Sequence, residues 1–123
     1  MTRPAKQKIL LAEDETALAQ ILGNKLTNSG YEVKIVSNGA EALKALEEKT
    51  FDLLILDLIM PKMDGFQVLE QITVKKIKTS VIVMSNLSQT ESETRALTLG
   101  AKDFLVKSDL SLDAIIKRVT TFL

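Results

Sequence analysis

The sequence predicts an α/β fold, a parallel sheet wound with helices on both sides, from three observations. Short apolar runs alternate with segments of helical period along the whole 123 residues. The third run, "FDLLIL" (Phe51–Leu56), is apolar at both parities, as a central parallel strand with two covered faces must be. Five such strand–helix units need right-handed crossovers and covering layers on both sides of the sheet. The pattern is that of a flavodoxin-like or Rossmann-like doubly wound sheet, and the length is that of one domain. At this size roughly two-thirds of the unfolded chain's surface is buried on folding, and an apolar fraction of 46% suffices for that without a staple.

Each element has its own justification. "KILLA" (Lys8–Ala12) is the first strand, after a polar tail over residues 1–7. Leu18, Ile21, Leu22 and Leu26 recur at helical spacing up to "NSG", where Gly30 is placed to close the helix as its C′ residue. "YEVKIV" alternates only partly, as an edge strand does. Asn38, with Glu41 three residues on, has the pattern of a capping box for the second helix. After "FDLLIL", Asp64 and Gln67 form a second such pair at the head of a helix carrying Phe66, Leu69 and Ile72. "SVIVM" (Ser80–Met84) is the fourth strand, and Ser88 with Glu91 starts a helix that stops at Gly100. "DFLV" is the fifth strand, and the last helix carries Leu112, Ile115, Ile116, Val119 and Leu123 on one face. The leucine and isoleucine stripes are core.

Composition removes several kinds of function. The chain has no Cys, hence no disulfide, thiolate metal site or cysteine nucleophile, which suits a reducing compartment. It has no His either, so a site here is built from carboxylates, lysine, hydroxyls and backbone. Sixteen basic and sixteen acidic residues balance without a long charge run, which speaks against a nucleic-acid-binding face. The first apolar run is too short for a signal-peptide core, and no stretch approaches the eighteen or so apolar residues of a membrane span. The expectation is a soluble, cytoplasmic domain without a membrane partner.

In doubly wound sheets, ligands bind beyond the carboxyl ends of the strands, where strand order reverses. The residues just past the strands are Glu13, Asp14 and Glu15 after the first, Asp57 after the third, Ser85 and Asn86 after the fourth, and Lys107 after the fifth. With strand order 2-1-3-4-5, the first and third strands are neighbours about 4.8 Å apart. Asp14 and Asp57 then meet at one end of the sheet, with Glu13 beside them. Clustered carboxylates repel unless a cation compensates them. Lys107 is one compensator; a hard divalent ion is another, and an all-oxygen donor set without His or Cys suits Mg2+. Such a site fits phosphoryl chemistry, in which a carboxylate can itself be the nucleophile.

Each residue also has an ordinary role open to it. Asp57 can be a solvated strand end, Asp14 an N-cap, Glu13 and Glu15 surface acids, Lys107 a snorkelling strand-end lysine and Ser85 a turn hydroxyl. Phe104 can be plain core. Asp64, Gly65 and Pro61 are taken as structural, shaping the loop after Asp57.

Four motifs, "LLAEDE", "LLILDLIMPKMDG", "VIVMSN" and "GAKDFLVKS", in this order and spacing resemble the receiver domain of two-component response regulators. The likeness runs from Lys8 to the last helix, with residues 1–123 read as one receiver and no output domain in this chain. It implies Asp57 as phosphoacceptor, Asp14 and Asp57 as direct Mg2+ ligands with the backbone carbonyl of Ile59, and Glu13 acting through water. It implies Lys107 on a phosphoryl oxygen, Ser85 as the switch hydroxyl and Phe104 as the switch aromatic. Implied partners are a sensor histidine kinase or phosphotransfer protein, and a downstream target or output domain meeting the face of fourth helix, fifth strand and fifth helix. The domain would then be a signalling switch rather than an enzyme.

The chain departs from the family pattern at the rim. Ser108 stands where proline is common, so a cis bond after Lys107 is not assumed, since cis non-proline costs roughly 2.5–4 kcal/mol. Asn86 stands where a small residue is usual, and Ile59 and Leu87 are apolar where polar groups help position an attacking water, which implies slow self-dephosphorylation. The rival readings are a receiver-like interaction module that does not use phosphorylation, and an enzyme of the same fold class. The latter lacks a G-x-G-x-x-G, a P-loop G-K-[ST], or a second aspartate at position 59.

Overall fold

A computed structural model of the chain describes residues 6–86 and 90–123. The elements run β1 (Lys8–Ala12), α1 (Thr16–Asn28), β2 (Glu32–Val36), α2 (Gly39–Glu48), β3 (Leu53–Leu56), α3 (Gly65–Val74), β4 (Ser80–Ser85), α4 (Thr90–Thr98), β5 (Asp103–Val106), a short 3-10 turn (Lys107–Asp109) and α5 (Leu112–Thr120). The five strands pair in the order β2-β1-β3-β4-β5, and all the pairings are parallel. β4 runs one residue further than the sequence suggested, so Ser85 is its last residue and pairs with Val106. Ser88 and Leu87 lie outside the described residues.

Strand alternation splits the core into two layers. Ile9, Leu11, Leu53, Ile55, Ile82, Met84 and Leu105 pack with α1 and α5 through Ala19, Leu22, Leu26, Ile115 and Val119. The opposite parities, among them Leu10, Leu54, Leu56, Val81, Val83 and Phe104, pack beneath α2, α3 and α4. All four residues of β3 are buried, as expected for a strand covered on both sides.

The helix ends follow their sequence cues with some differences. α1 closes with Gly30 at a φ of 101°, its N–H donating to the Thr27 carbonyl while the Tyr31 N–H donates to the Leu26 carbonyl. This is the reciprocal pair of bonds that a left-handed C′ residue allows, and glycine adopts that φ without a Cβ penalty. Asp64 and Gln67 form a complete capping box on α3. On α2 only half of the box forms: the Asn38 side chain accepts from the Glu41 N–H, but the Glu41 carboxylate accepts instead from the backbone and hydroxyl of Ser37. Ile21 is 50% exposed and so is not core, because it lies about 100° around the helix from Leu22, which faces the sheet. Leu123 falls beyond α5 and is held there by its carbonyl, which accepts from the Gln7 side-chain amide at 3.0 Å. The half-buried Phe66 ring packs under the Arg95 guanidinium, 4.1 Å from the ring centre, tying α3 to α4.

The loop from β3 to α3 is folded tightly back on the sheet. A Cβ on Gly65 would lie 2.6 Å from the Asp57 carbonyl oxygen and 2.8 Å from the Leu58 Cα, both backbone atoms that cannot swing aside. The Gly65 N–H meanwhile donates to the Leu58 carbonyl at 2.9 Å. Gly65→Ala is therefore expected to cost roughly 1–3 kcal/mol through overpacking, read as a lower urea midpoint, whereas Gln67→Ala, which removes one member of an exposed capping pair, should cost roughly 0.5–1 kcal/mol.

Candidate functional site

The sheet itself gathers the polar residues. Glu13, Asp57 and Lys107 each follow by two positions a member of one inner face, Leu11, Ile55 and Leu105, so strand alternation sends the three side chains the same way. Their backbones extend the ladders: the Asp57 N–H donates to the Ala12 carbonyl and the Glu13 N–H to the Val36 carbonyl, both at 3.0 Å. Lys107 opens the turn after β5, and its side chain reaches back across the end of β4.

The Lys107 ammonium is the centre of the arrangement. Its Nζ lies 3.0 Å from Asp57 Oδ2, pairs with Glu13 Oε1, and lies 3.5 Å from Glu15 Oε1. The side chains of Glu13, Asp57 and Lys107 are 0%, 6% and 8% exposed. The other carboxylate oxygen of Asp57 accepts from the Ile59 N–H at 3.3 Å. Asp57 is not the solvated strand end that its position allows but is nearly covered, because Lys107 and its own loop close over it. Asp14 remains exposed, and it is not the N-cap of α1: Glu15 holds that position, with no side-chain cap bond. Its carboxylate is thereby left for the site, and one oxygen each of Glu13, Asp14 and Asp57 lie within 4.8 Å of one another.

Above this cluster is a hollow of about 200 Å³ lined by Asp14, Glu15, Asp57, Ile59, Asn86 and Lys107. Four carboxylates, two of them buried, against one ammonium leave a deficit of positive charge. Burial, and a hydrogen bond with Asp57, push the Glu13 carboxyl up to about 7 even though Lys107 pulls the other way. Burial disfavours the Lys107 ammonium, but its hydrogen bonds to Glu13 and Asp57 outweigh that and its pKa is raised. Glu13 therefore holds a proton more tightly than an ordinary carboxylate does. The donor set is all oxygen and anionic, and its spacing suits a small hard divalent ion such as magnesium.

The remaining predicted positions fall around this centre. Ser85 is fully buried at the end of β4, and Phe104, 9% exposed, pairs with Val83 on the α2–α4 side of the sheet. Ser85 shares the parity of Val83, so the two predicted switch residues face the same layer. Ile59 is 58% exposed at the rim. No cis peptide occurs among the described residues, the Lys107–Ser108 bond included. Sequence reasoning left Glu15 as a plain surface acid and missed its contact with Lys107. The hint was its position two residues from Glu13 at the end of the same strand.

Comparison with known proteins gives a consistent picture. Residues 9–120 match the family model described as the response regulator receiver domain. The chain is 37% identical over 116 residues to the probable transcriptional regulator ycf27 of Pyropia yezoensis, covering 93% of this chain and 47% of that protein. It is 35% identical over 101 residues to the alkaline phosphatase synthesis transcriptional regulatory protein PhoP of Bacillus subtilis, covering 82% of this chain and 42% of the relative. The chain thus spans less than half the length of these relatives. Among solved structures, the receiver domain of the Francisella response regulator 1452 superposes with a TM-score of 0.88 at 32% identity, over 95% of this chain and 96% of that one. The response regulator TrrA of Thermotoga maritima, in complex with Mg2+ and BeF, gives 0.83 at 32% identity, over 95% and 99%.

The Glu13 shift has a measurable consequence in metal-free protein. Its folded-state pKa lies above the ordinary 4.5, so between about 4.5 and 7 the folded state binds more protons than the unfolded one. Stability is therefore expected to fall as pH rises through that window, by at most about 1.4 kcal/mol per pH unit, and to level off above it. Urea unfolding in chelator should show that slope in the wild type and a flatter profile in Glu13→Gln; equal slopes would remove the assignment to Glu13.

Proposed function

The chain belongs to the response regulator receiver domain family, and from that premise we propose that it is a phosphorylation switch with Asp57 as the acceptor. The observation that carries this is the placing of the Asp57 carboxylate: one oxygen on Lys107 at 3.0 Å, the other on the Ile59 N–H, and Glu13 and Asp14 beside it. A carboxylate so oriented is a nucleophile held in place, at the strand-order reversal where such sheets present ligands.

In the proposed reaction an Asp57 oxygen attacks the phosphorus of a donor. A new P–O bond forms as the donor's P–N bond breaks, and the electron pair passes to an imidazole nitrogen that takes a proton from water. The chain has no histidine, so a phosphohistidine donor must be another protein: a sensor histidine kinase or a phosphotransfer protein. Acetyl phosphate can replace it, with acetate leaving. A magnesium ion held by Asp14, Asp57, the Ile59 carbonyl and, through water, Glu13 would offset the charge of the transferring group. Lys107 then exchanges part of its carboxylate contact for a phosphoryl oxygen, and the Ser85 hydroxyl donates to another.

The phosphoryl group adds a charge of roughly −1.5 to −2 near pH 7, by analogy with other phosphorylated side chains. Moving a two-state element from 1:99 to 99:1 needs about 5.5 kcal/mol of differential stabilisation, within reach of a few charge-assisted hydrogen bonds plus metal contacts. On this reading Ser85 moves inward and Phe104 repacks after it. Phe104 is already buried, so its step is a change of packing inside the core rather than an entry from solvent. The altered face is α4-β5-α5, and it would meet a downstream protein or an output domain. No described helix is long and apolar enough to cross a membrane, and we place the domain in the cytoplasm, without direct nucleic-acid contact of its own.

Incubation with acetyl phosphate and Mg2+ is expected to add one phosphoryl group by intact mass, and Asp57→Asn to abolish the increment. An unchanged wild-type mass under conditions that label a control receiver would overturn the proposal. The apolar residue types at positions 59 and 87 further imply a long-lived phosphoryl group. Ile59→Asn or Leu87→Glu should quicken its decay severalfold, and decay at the wild-type rate in both variants removes these two positions from consideration.

A further inference from the structure

Glu15 has a place in this site that its exposure conceals. Its side chain is 57% exposed, yet its Oε1 lies 3.5 Å from the Lys107 ammonium. Its backbone is tied into the cluster, the N–H donating to Glu13 Oε2 at 3.4 Å, and although it stands at the N-cap of α1 its side chain makes no cap bond. The carboxylate is therefore turned to the hollow, which it lines together with Asp14, Asp57, Ile59, Asn86 and Lys107. Of the three carboxylates around Lys107, two are buried and rigidly placed; Glu15 is the one at the entrance, able to let go without leaving a buried charge unpaired.

We propose that Glu15 is a positioning residue that acts through Lys107 and restrains phosphorylation by anionic donors. The inference rests on the reading of Asp57 as phosphoacceptor. Two effects act in the same direction. A phosphoryl donor brings negative charge into a hollow whose rim carries Glu15, so approach is opposed by like charge. Lys107, the ammonium that must turn to the phosphoryl oxygens, is held partly towards Glu15, so the unphosphorylated arrangement is favoured by the strength of that pair. A cation entering the same hollow feels the opposite sign. Glu15 therefore favours magnesium while it disfavours the donor, an opposition that a purely structural residue would not produce.

The test uses Glu15→Gln, which keeps size and removes charge. At saturating Mg2+ and low ionic strength the variant is expected to be labelled by acetyl phosphate roughly two- to fivefold faster than wild type, the range that an exposed ion pair supports. The difference should shrink at high ionic strength, where exposed charges are screened. Its magnesium dissociation constant, measured by calorimetry without any phosphodonor, should rise by a similar factor. Faster labelling together with weaker magnesium binding supports the inference. Labelling at or below the wild-type rate, or unchanged magnesium affinity, overturns it while leaving Asp57 as acceptor. If the wild type itself takes no phosphoryl group, the reading of Asp57 fails and the restraint fails with it.

Discussion

One ammonium group holds together the carboxyl ends of three strands of this sheet. Lys107 Nζ contacts Asp57 after β3 and both Glu13 and Glu15 after β1, and no other cation contacts these three among the described residues. Buried carboxylates side by side are tolerated only when their charge is shared out. Here Lys107 pairs with both buried carboxylates, and burial raises the affinity of Glu13 for a proton. A divalent cation and a phosphoryl group would each rewrite this balance. On the proposed reading the site is therefore poised rather than inert, since a phosphoryl group would change the partners of Lys107.

That poise depends on a rigid base. The four residues of β3 are fully buried and paired on both sides, with β1 at Ile9–Ala12 and with β4 at Ser80–Val83. The Asp57 backbone is fixed to Ala12, and the loop beyond it cannot relax, because Gly65 already sits against the Asp57 carbonyl. Packing of that density converts a change of charge into a change of neighbours rather than into a diffuse give.

The fold was almost wholly legible in the sequence, since apolar runs, crossover lengths and caps such as Asp64–Gln67 are local signals that agree with one another. The acidic cluster was legible too, because strand order 2-1-3-4-5 by itself brings the ends of β1 and β3 together. What escaped were choices made in three dimensions between equivalent options. Glu41 bonds Ser37 rather than closing its box, and Ile21 faces water although its hydropathy matches that of Leu22. Glu15 rather than Asp14 stands at the N-cap of α1, and it is Glu15 that approaches the lysine. No periodicity encodes which of two adjacent acids a distant lysine will reach.

The helices differ in how firmly they are held, and this bears on where a change at the site would be felt. Several side chains of α1, α2 and α3 are buried, while α4 buries only Ala96 among its described residues and leaves Leu97 41% exposed. Beyond that methyl group, α4 is attached by the Arg95 contacts to Phe66 and Glu70, which are partly solvated and individually weak. It also lies over β5, next to Phe104 and downstream of Ser85. A shift of Ser85 or Phe104 by a fraction of an ångström would cost far more if it displaced α1 or α3, whose apolar faces are locked into the sheet, than if it displaced α4. On the proposed reading, the response should therefore emerge at α4 and its neighbours because that is where the core resists least.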